Sequence, residues 1–439
     1  MSYTFLATII VSGLIVGGLM NFPVSLLPAL KRQLRWTESR AFLLQWVFFL
    51  GVVGAMVLGG ICIHELGTKP IHLLGSFMAV LGLVGLAFLA KKSTIPEPEL
   101  NEEKPETAPQ EEESGKDKPK QSLSDLARTP NATSDSDVGN RQSLPVILGA
   151  VLLLAMGAAF LHTSTAVSMP DAFLAENDQG NLNIEQFPAA TNFGYLFVGI
   201  GFLLTPLLVR GLLRITPLRV CTLLLGLICL SPVALSLMTD KFPSFETTDF
   251  SMLLSKPNLW IIVVAVFFLY GLEYSMVVWA PKYLKQLEFQ DKTMWLLISC
   301  FWLCFLAGRL ISAQLAGKFT FFWLLVLAAL LVAVTLGNMV GVFRKSYGII
   351  CFLFLGLCLG PVFPTLVGLI FYDFPKKEAV TFGIICGLGT LGRVMYQTVY
   401  EGFAERNHVR YSLTASMIMA LMVAIPALVL VVTTEFPTE

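Results

Sequence analysis

Four ionisable side chains interrupt long apolar runs in this sequence: His162, Glu273, Arg309 and Arg393. In hydrocarbon an ionised group costs on the order of 3 kcal/mol unless it is paired, protonated or facing water. Glu273 lies near the middle of the apolar stretch 267–285, which ends in Trp279, Pro281 and Lys282. A carboxylate there either handles a proton or a ligand, or forms a structural ion pair between helices. Arg393 closes Gly389-Thr390-Leu391-Gly392-Arg393, where small residues admit a close neighbour. Its guanidinium could clamp a carboxylate or phosphate bidentately, or it could neutralise Glu273; the sequence leaves both open. Arg309 lies past the centre of its run, in Gly308-Arg309, which suits a conformational latch more than ligand contact. The imidazole of His162 suits a proton relay; the alternative is a hydrogen bond to the adjacent Thr163, Ser164 or Thr165.

The elements that must position these groups follow from composition. Of 439 residues, 55% are apolar and 14% charged, and the mean hydropathy is +0.72. Soluble domains are nearer a quarter charged, so the chain reads as an all-α integral membrane protein. Spanning takes about 20 apolar residues, and twelve runs meet that length: about 3–30, 41–63, 70–90, 145–169, 188–212, 217–238, 258–284, 293–317, 319–342, 347–372, 379–402 and 411–434. Formal net charge is zero, so no polyanionic partner is implied, and no nucleic-acid motif appears. The eight cysteines lie in or beside apolar runs and read as small core hydrophobes rather than as a disulfide or zinc framework. Residues 3–28 lack a basic leader and a small-residue cleavage site, so they read as a retained helix. No Walker loop, nucleophile elbow or zincin helix is present, so an enzyme is not expected, nor a cofactor or metal.

Residues 93–141 differ in kind. Acidic and basic clusters with Ser, Thr and Pro, and scarcely an aromatic, predict a disordered polar linker. It follows the third run and leaves nine beyond it. The expected organisation is helices 1–3 over residues 1–92, the linker, and helices 4–6 over 142–240. An inter-bundle loop over 241–257 and a C-terminal bundle over 258–439 complete it. Phe187-Pro188 followed by Gly194, Gly199 and Gly201 is echoed by Phe374-Pro375 followed by Gly383, Gly387, Gly389 and Gly392. That echo supports nested three-helix repeats of inverted topology, with small residues allowing close helix approach.

Several stretches together resemble one family. Met20-Asn21-Phe22-Pro23, the loop Gly59-Gly60 through His64-Glu65-Leu66-Gly67-Thr68-Lys69, and Thr191-Asn192-Phe193-Gly194 carry the resemblance in the first half. Phe301-Trp302 with Gly308-Arg309, and Gly360-Pro361-Val362-Phe363-Pro364-Thr365, carry it in the second. They resemble the major facilitator superfamily, and within it the fucose permease-like branch. The resemblance implies two six-helix bundles, each of two inverted three-helix repeats, and a ligand site near the midplane. It implies gating roles for Glu65, Lys69 and Arg309. Where the family's helix two–three loop usually carries an Asp and a following basic residue, this sequence reads His64-Glu65, with Lys69 after the glycine. The branch's acids in helices one and four are absent: helix one offers Asn21 and helix four His162. Both termini would be cytoplasmic, whereas the count of Lys and Arg in the loops prefers the opposite orientation.

On this reading the chain is a secondary active transporter of a small polar metabolite, a sugar or related compound, working by alternating access with proton symport. Glu273, Arg393, His162, Asn21, Gln45, Asn192, Trp279, Trp302 and Gln397 would supply charge pairing, hydrogen bonds and stacking faces. Expected partners are the solute, protons or sodium ions, and the lipid of an inner or plasma membrane; the protein would be a monomer. The alternatives are an exporter of amphipathic or anionic compounds, and a receptor of the same fold signalling through 93–141.

Overall fold

The computed structural model describes residues 3–33, 36–90, 136–174, 186–245, 250–316, 321–342, 344–403 and 409–433. Among these, twelve spans are long and apolar enough to cross a membrane: α1 (Tyr3–Met20), α2 (Ser39–Leu66), α3 (Thr68–Phe88), α4 (Leu144–Val167), α5 (Phe187–Ile215), α6 (Leu218–Leu237), α7 (Pro257–Gln286), α8 (Asp291–Leu315), α9 (Trp323–Gly341), α10 (Lys345–Asp373), α11 (Glu378–Val399) and α12 (Val409–Thr433). They are helices because hydrocarbon offers no partner for a free N–H or C=O, so each segment must satisfy its own backbone. Apolar side chains such as Leu207, Ile215, Leu227 and Val432 point outward, as a lipid-facing surface requires.

Three of the expected runs are not single helices. The first ends at Met20, and short helices Phe22–Ser25 and Leu27–Gln33 follow. α6 consists of Leu218–Ile228 and Ser231–Leu237, and α10 of Lys345–Leu359 and Val362–Asp373. Pro23, Pro28, Pro232 and Pro361 stand at these breaks, where a missing N–H and a crowded ring end the ladder. The expected linker, 93–141, lies outside the described residues as far as 135; from Ser136 the chain already belongs to the helix that carries α4. Extending a formed helix by a few polar residues is cheap compared with nucleating one.

The helices form two six-helix halves related by a two-fold exchange. Within the first half α1 packs on α5, α2 on α4, α3 on α4 and α3 on α6; within the second, α7 packs on α11, α8 on α10, α9 on α10 and α9 on α12. Between halves α2 meets α11, and its counterpart α8 meets α5. Close approach is built in at equivalent places. A Cβ on Gly201 of α5 would lie 1.9 Å from the Leu14 carbonyl of α1, and one on Gly392 of α11 would lie 1.8 Å from the Phe267 carbonyl of α7. No side chain larger than hydrogen fits there.

Candidate functional site

Odd-numbered helices begin, and even-numbered helices end, on the face that carries both termini. On that face the halves are closed at backbone level. A Cβ on Gly60 of α2 would come within 2.5 Å of the Ala379 carbonyl of α11, and Gly368 of α10 sits as tightly on Pro188 of α5. Thr191 Oγ1 donates to Pro364 O at 2.8 Å, and Asn192 Nδ2 donates to Thr365 Oγ1 at 3.1 Å. Toward the opposite face the halves meet through side chains: Gln45 Nε2 donates to the Tyr274 hydroxyl, and the Phe202 and Trp302 rings lie 5.7 Å apart.

Between these two layers lies a cavity of about 100 Å³, lined from both halves. Eight aromatic side chains line it, among them Phe49, Phe202, Trp302 and Phe363. Its charged groups are Glu273 on α7, Arg309 on α8 and Arg393 on α11. The first half contributes Asn21, His162 and Tyr195.

Glu273 and Arg393 face each other, with Arg393 Nη2 3.4 Å from Glu273 Oε2. That is longer than the 2.7–2.9 Å of a well-made charge-assisted bond, and it engages one of the guanidinium's five donors. Among the described residues each is the other's sole polar partner. The Arg393 and Glu273 side chains keep 16% and 18% of their surface, so the pair is shielded but reachable from the cavity. Arg393 also lies 4.5 Å above the Tyr270 ring, where the face of the ring favours a cation.

Arg309 lines the same cavity but is anchored differently. Its Nη1 donates to Tyr195 O of the first half, its Nε donates to Gly360 O at 3.1 Å, and its guanidinium stacks 4.5 Å from the Phe305 ring. This cation therefore ties α8 to α5 and to the break in α10. His162 Nε2 is bonded to the Tyr195 hydroxyl at 2.9 Å, rather than to the adjacent Thr163, Ser164 or Thr165. Asn21 Nδ2 donates to Phe202 O at 2.9 Å, while Asn21 Oδ1 and His162 Nδ1 are buried without a partner.

The structure thus gathers Glu273, Arg393, Arg309, His162, Asn21 and Trp302 on one cavity and places Gln45 at its rim. Other expected ligand contacts lie elsewhere. Trp279 is fully buried and donates to Ser416 Oγ of α12 at 3.1 Å, a packing role. Asn192 belongs to the closed layer, and Gln397 is buried outside the cavity lining. Lys69 bonds Asp240 at 2.6 Å, joining the start of α3 to the loop after α6 within one half; Glu65 is exposed nearby. That bond and the ammonium charge hold the Asp240 carboxyl below its ordinary range. Tyr195, Tyr270 and Tyr274 were not anticipated from the sequence. Tyr270 lies three residues before Glu273, on the same helical face, and that spacing was a readable signal.

The family model described as Major Facilitator Superfamily matches residues 138–397. No curated protein matches the chain. Among solved structures, FucP, the fucose:proton symporter of E. coli, superposes in its outward conformation with a TM-score of 0.71 at 14% identity, over 97% of this chain and 99% of its own. The proton:xylose symporter XylE gives 0.71 at 13%, over 98% and 95%. A bacterial homologue of the iron transporter ferroportin, outward-facing, gives 0.69 at 12%, over 97% and 98%. At such identities these structures share the fold with this chain.

Proposed function

This chain belongs to the Major Facilitator Superfamily, and on that premise we propose that it is a secondary active transporter in which Glu273 carries the driving proton. The solute occupies the cavity between the halves, and alternating access exposes it to either side. One observation carries the reading: a carboxylate and a guanidinium, loosely paired at 3.4 Å, face a cavity lined by both halves. At that depth a carboxylate is tolerated with its cation or with a proton, and poorly with neither. Any event that draws Arg393 away therefore obliges Glu273 to bind a proton. Pairing and protonation are coupled, as proton-driven transport requires.

The backbone-level closure on the termini face, with the superfamily's orientation, seals the cavity on the cytoplasmic side of an inner or plasma membrane. A sugar or related polar metabolite is the solute suggested by the names of FucP and XylE. An amphipathic or anionic compound is the second reading, supported by the eight aromatic side chains and the available guanidinium. The test is uptake by the purified full chain, a monomer on this reading, in proteoliposomes under an inward proton gradient. L-fucose and benzenesulfonate serve as labelled solutes. Glu273→Gln is expected to abolish accumulation while solute exchange at equal pH persists. Uptake and pH dependence matching the wild type would remove Glu273 from the mechanism.

A further inference from the structure

Charge counting in the cavity narrows the solute. Resting on the proton-coupled reading above, we propose that the cavity takes a monoanion with an apolar or aromatic body, and that it moves with one proton in an electroneutral cycle.

Two guanidiniums and one carboxylate line the cavity, so an ionised Glu273 leaves one net positive charge. Arg309 is committed to two backbone carbonyls, one in each half. Arg393 is not, since among the described residues its one polar contact is the long one to Glu273. An incoming carboxylate or sulfonate can accept two parallel N–H bonds from that fork, which outcompetes a single 3.4 Å contact. Glu273, left without its cation among aromatic walls, then takes a proton from the aqueous side. One negative charge and one proton enter together, so the loaded cavity has the same net charge as the empty one. The groups around Glu273 allow this exchange. Arg393 on α11 and Arg309 on α8 are the cations on the lining beside it; Tyr195 is bonded to His162, Tyr274 on its own helix accepts from Gln45, and the Tyr270 ring lies under Arg393.

The body of the solute follows from the walls. Phe49, Phe202 and Phe363 offer faces and edges rather than donors, and Trp302 adds an indole face with a single N–H. Among the described residues, Asn21 Oδ1 and His162 Nδ1 are the neutral lining atoms that are buried without a partner. A polyhydroxylated solute would leave most of its hydroxyls unsatisfied here, each at a desolvation cost.

The experiment uses probes that isolate charge: benzenesulfonate, its uncharged counterpart benzenesulfonamide, and L-fucose, each tested by thermal shift and proteoliposome uptake with the full chain. Benzenesulfonate, which cannot leak across lipid as a protonated acid, is expected to stabilise the protein and accumulate under an inward proton gradient without a current. Its binding should tighten about tenfold per pH unit of acidification, the linkage of one proton. Glu273→Gln frees Arg393 of its competitor, so binding should tighten about tenfold near neutral pH and become pH-independent. Arg393→Lys keeps the charge but loses the fork, and binding should weaken about tenfold. Equal binding of sulfonate and sulfonamide, or L-fucose uptake unmoved by Arg393→Lys, would overturn the anion assignment while proton coupling stands. An inward current during benzenesulfonate uptake would overturn the one-to-one cycle. Insensitivity of all transport to the proton gradient and to Glu273→Gln would remove the parent reading as well.

Discussion

In the first half of the molecule two buried histidines are held by neutral hydrogen bonds to hydroxyl groups. His72 lies between two serines, its Nε2 2.9 Å from Ser12 Oγ and its Nδ1 3.0 Å from Ser164 Oγ. Ser164 donates its own hydrogen to Phe160 O at 2.9 Å, so it accepts from His72 Nδ1–H, and Ser12 donates to Nε2. α1, α3 and α4 are thereby joined without a formal charge. His162 and Tyr195 repeat the device between α4 and α5. The second half instead holds the cavity's three charges, on α7, α8 and α11. Neutral cross-links hold geometry whatever the ligand state; a loosely paired charge changes its preferred partner when an ion arrives. The comparison assigns shape to one half and response to the other, on helices that are otherwise two-fold equivalents.

The equivalence can be attacked first, with the largest expected effect. Gly201→Ala and Gly392→Ala place a methyl 1.9 and 1.8 Å from the Leu14 and Phe267 carbonyls, in matching helix pairs. Relieving either clash means separating α5 from α1 or α11 from α7. Overpacking of this kind costs about 3 kcal/mol or more. Both variants should lose the monodisperse peak in detergent size exclusion to a similar degree. A benign Gly201→Ala beside a disrupted Gly392→Ala would show that the halves are equivalent in outline only.

The functional contrast is sharpened by His162→Gln. Glutamine keeps a hydrogen-bond partner for Tyr195, the one polar contact of the imidazole among the described residues. Losing one neutral hydrogen bond is worth about 1 kcal/mol, or about fivefold. Uptake should fall by no more than that, and its pH dependence should match the wild type. If His162→Gln flattens the pH profile as Glu273→Gln is expected to, response is shared by both halves.

Much of the architecture was legible because about 20 consecutive apolar residues have one stable outcome in lipid. The breaks were not, since proline acts differently in different places. Pro206, Pro281 and Pro426 lie inside continuous helices, whereas Pro23, Pro232 and Pro361 stand at interruptions. Neighbouring helices decide which occurs, by supplying or withholding partners for the freed carbonyl. The charged part of the site was legible for a related reason: Glu273, Arg309 and Arg393 are too costly in hydrocarbon to be incidental. Trp279 and Asn192 carry equally suggestive chemistry but bond to a neighbouring helix, and Gln397 is buried off the cavity lining; composition does not fix a helix's rotation. His72 and Tyr195 acquire meaning from Ser12, Ser164 and His162, which only the tertiary structure brings to them.

The smallest effect belongs at the surface. Lys69 was expected to gate, and it bonds Asp240 within the first half, where Asp240 is fully exposed. A pair that spans no boundary between halves cannot lock them against each other. The Asp240 carboxyl is held below its ordinary range by the Lys69 hydrogen bond first and the ammonium charge second. A lowered folded-state value means that any stabilisation is present above the unfolded carboxylate range. It is lost as pH falls through the folded one. Exposed pairs are screened by salt and add little. Lys69→Ala should therefore leave thermal stability and uptake unchanged within error at neutral pH in physiological salt, and equally so in acid. A clear loss of uptake without loss of stability would return a gating role to this loop and move part of the response into the first half.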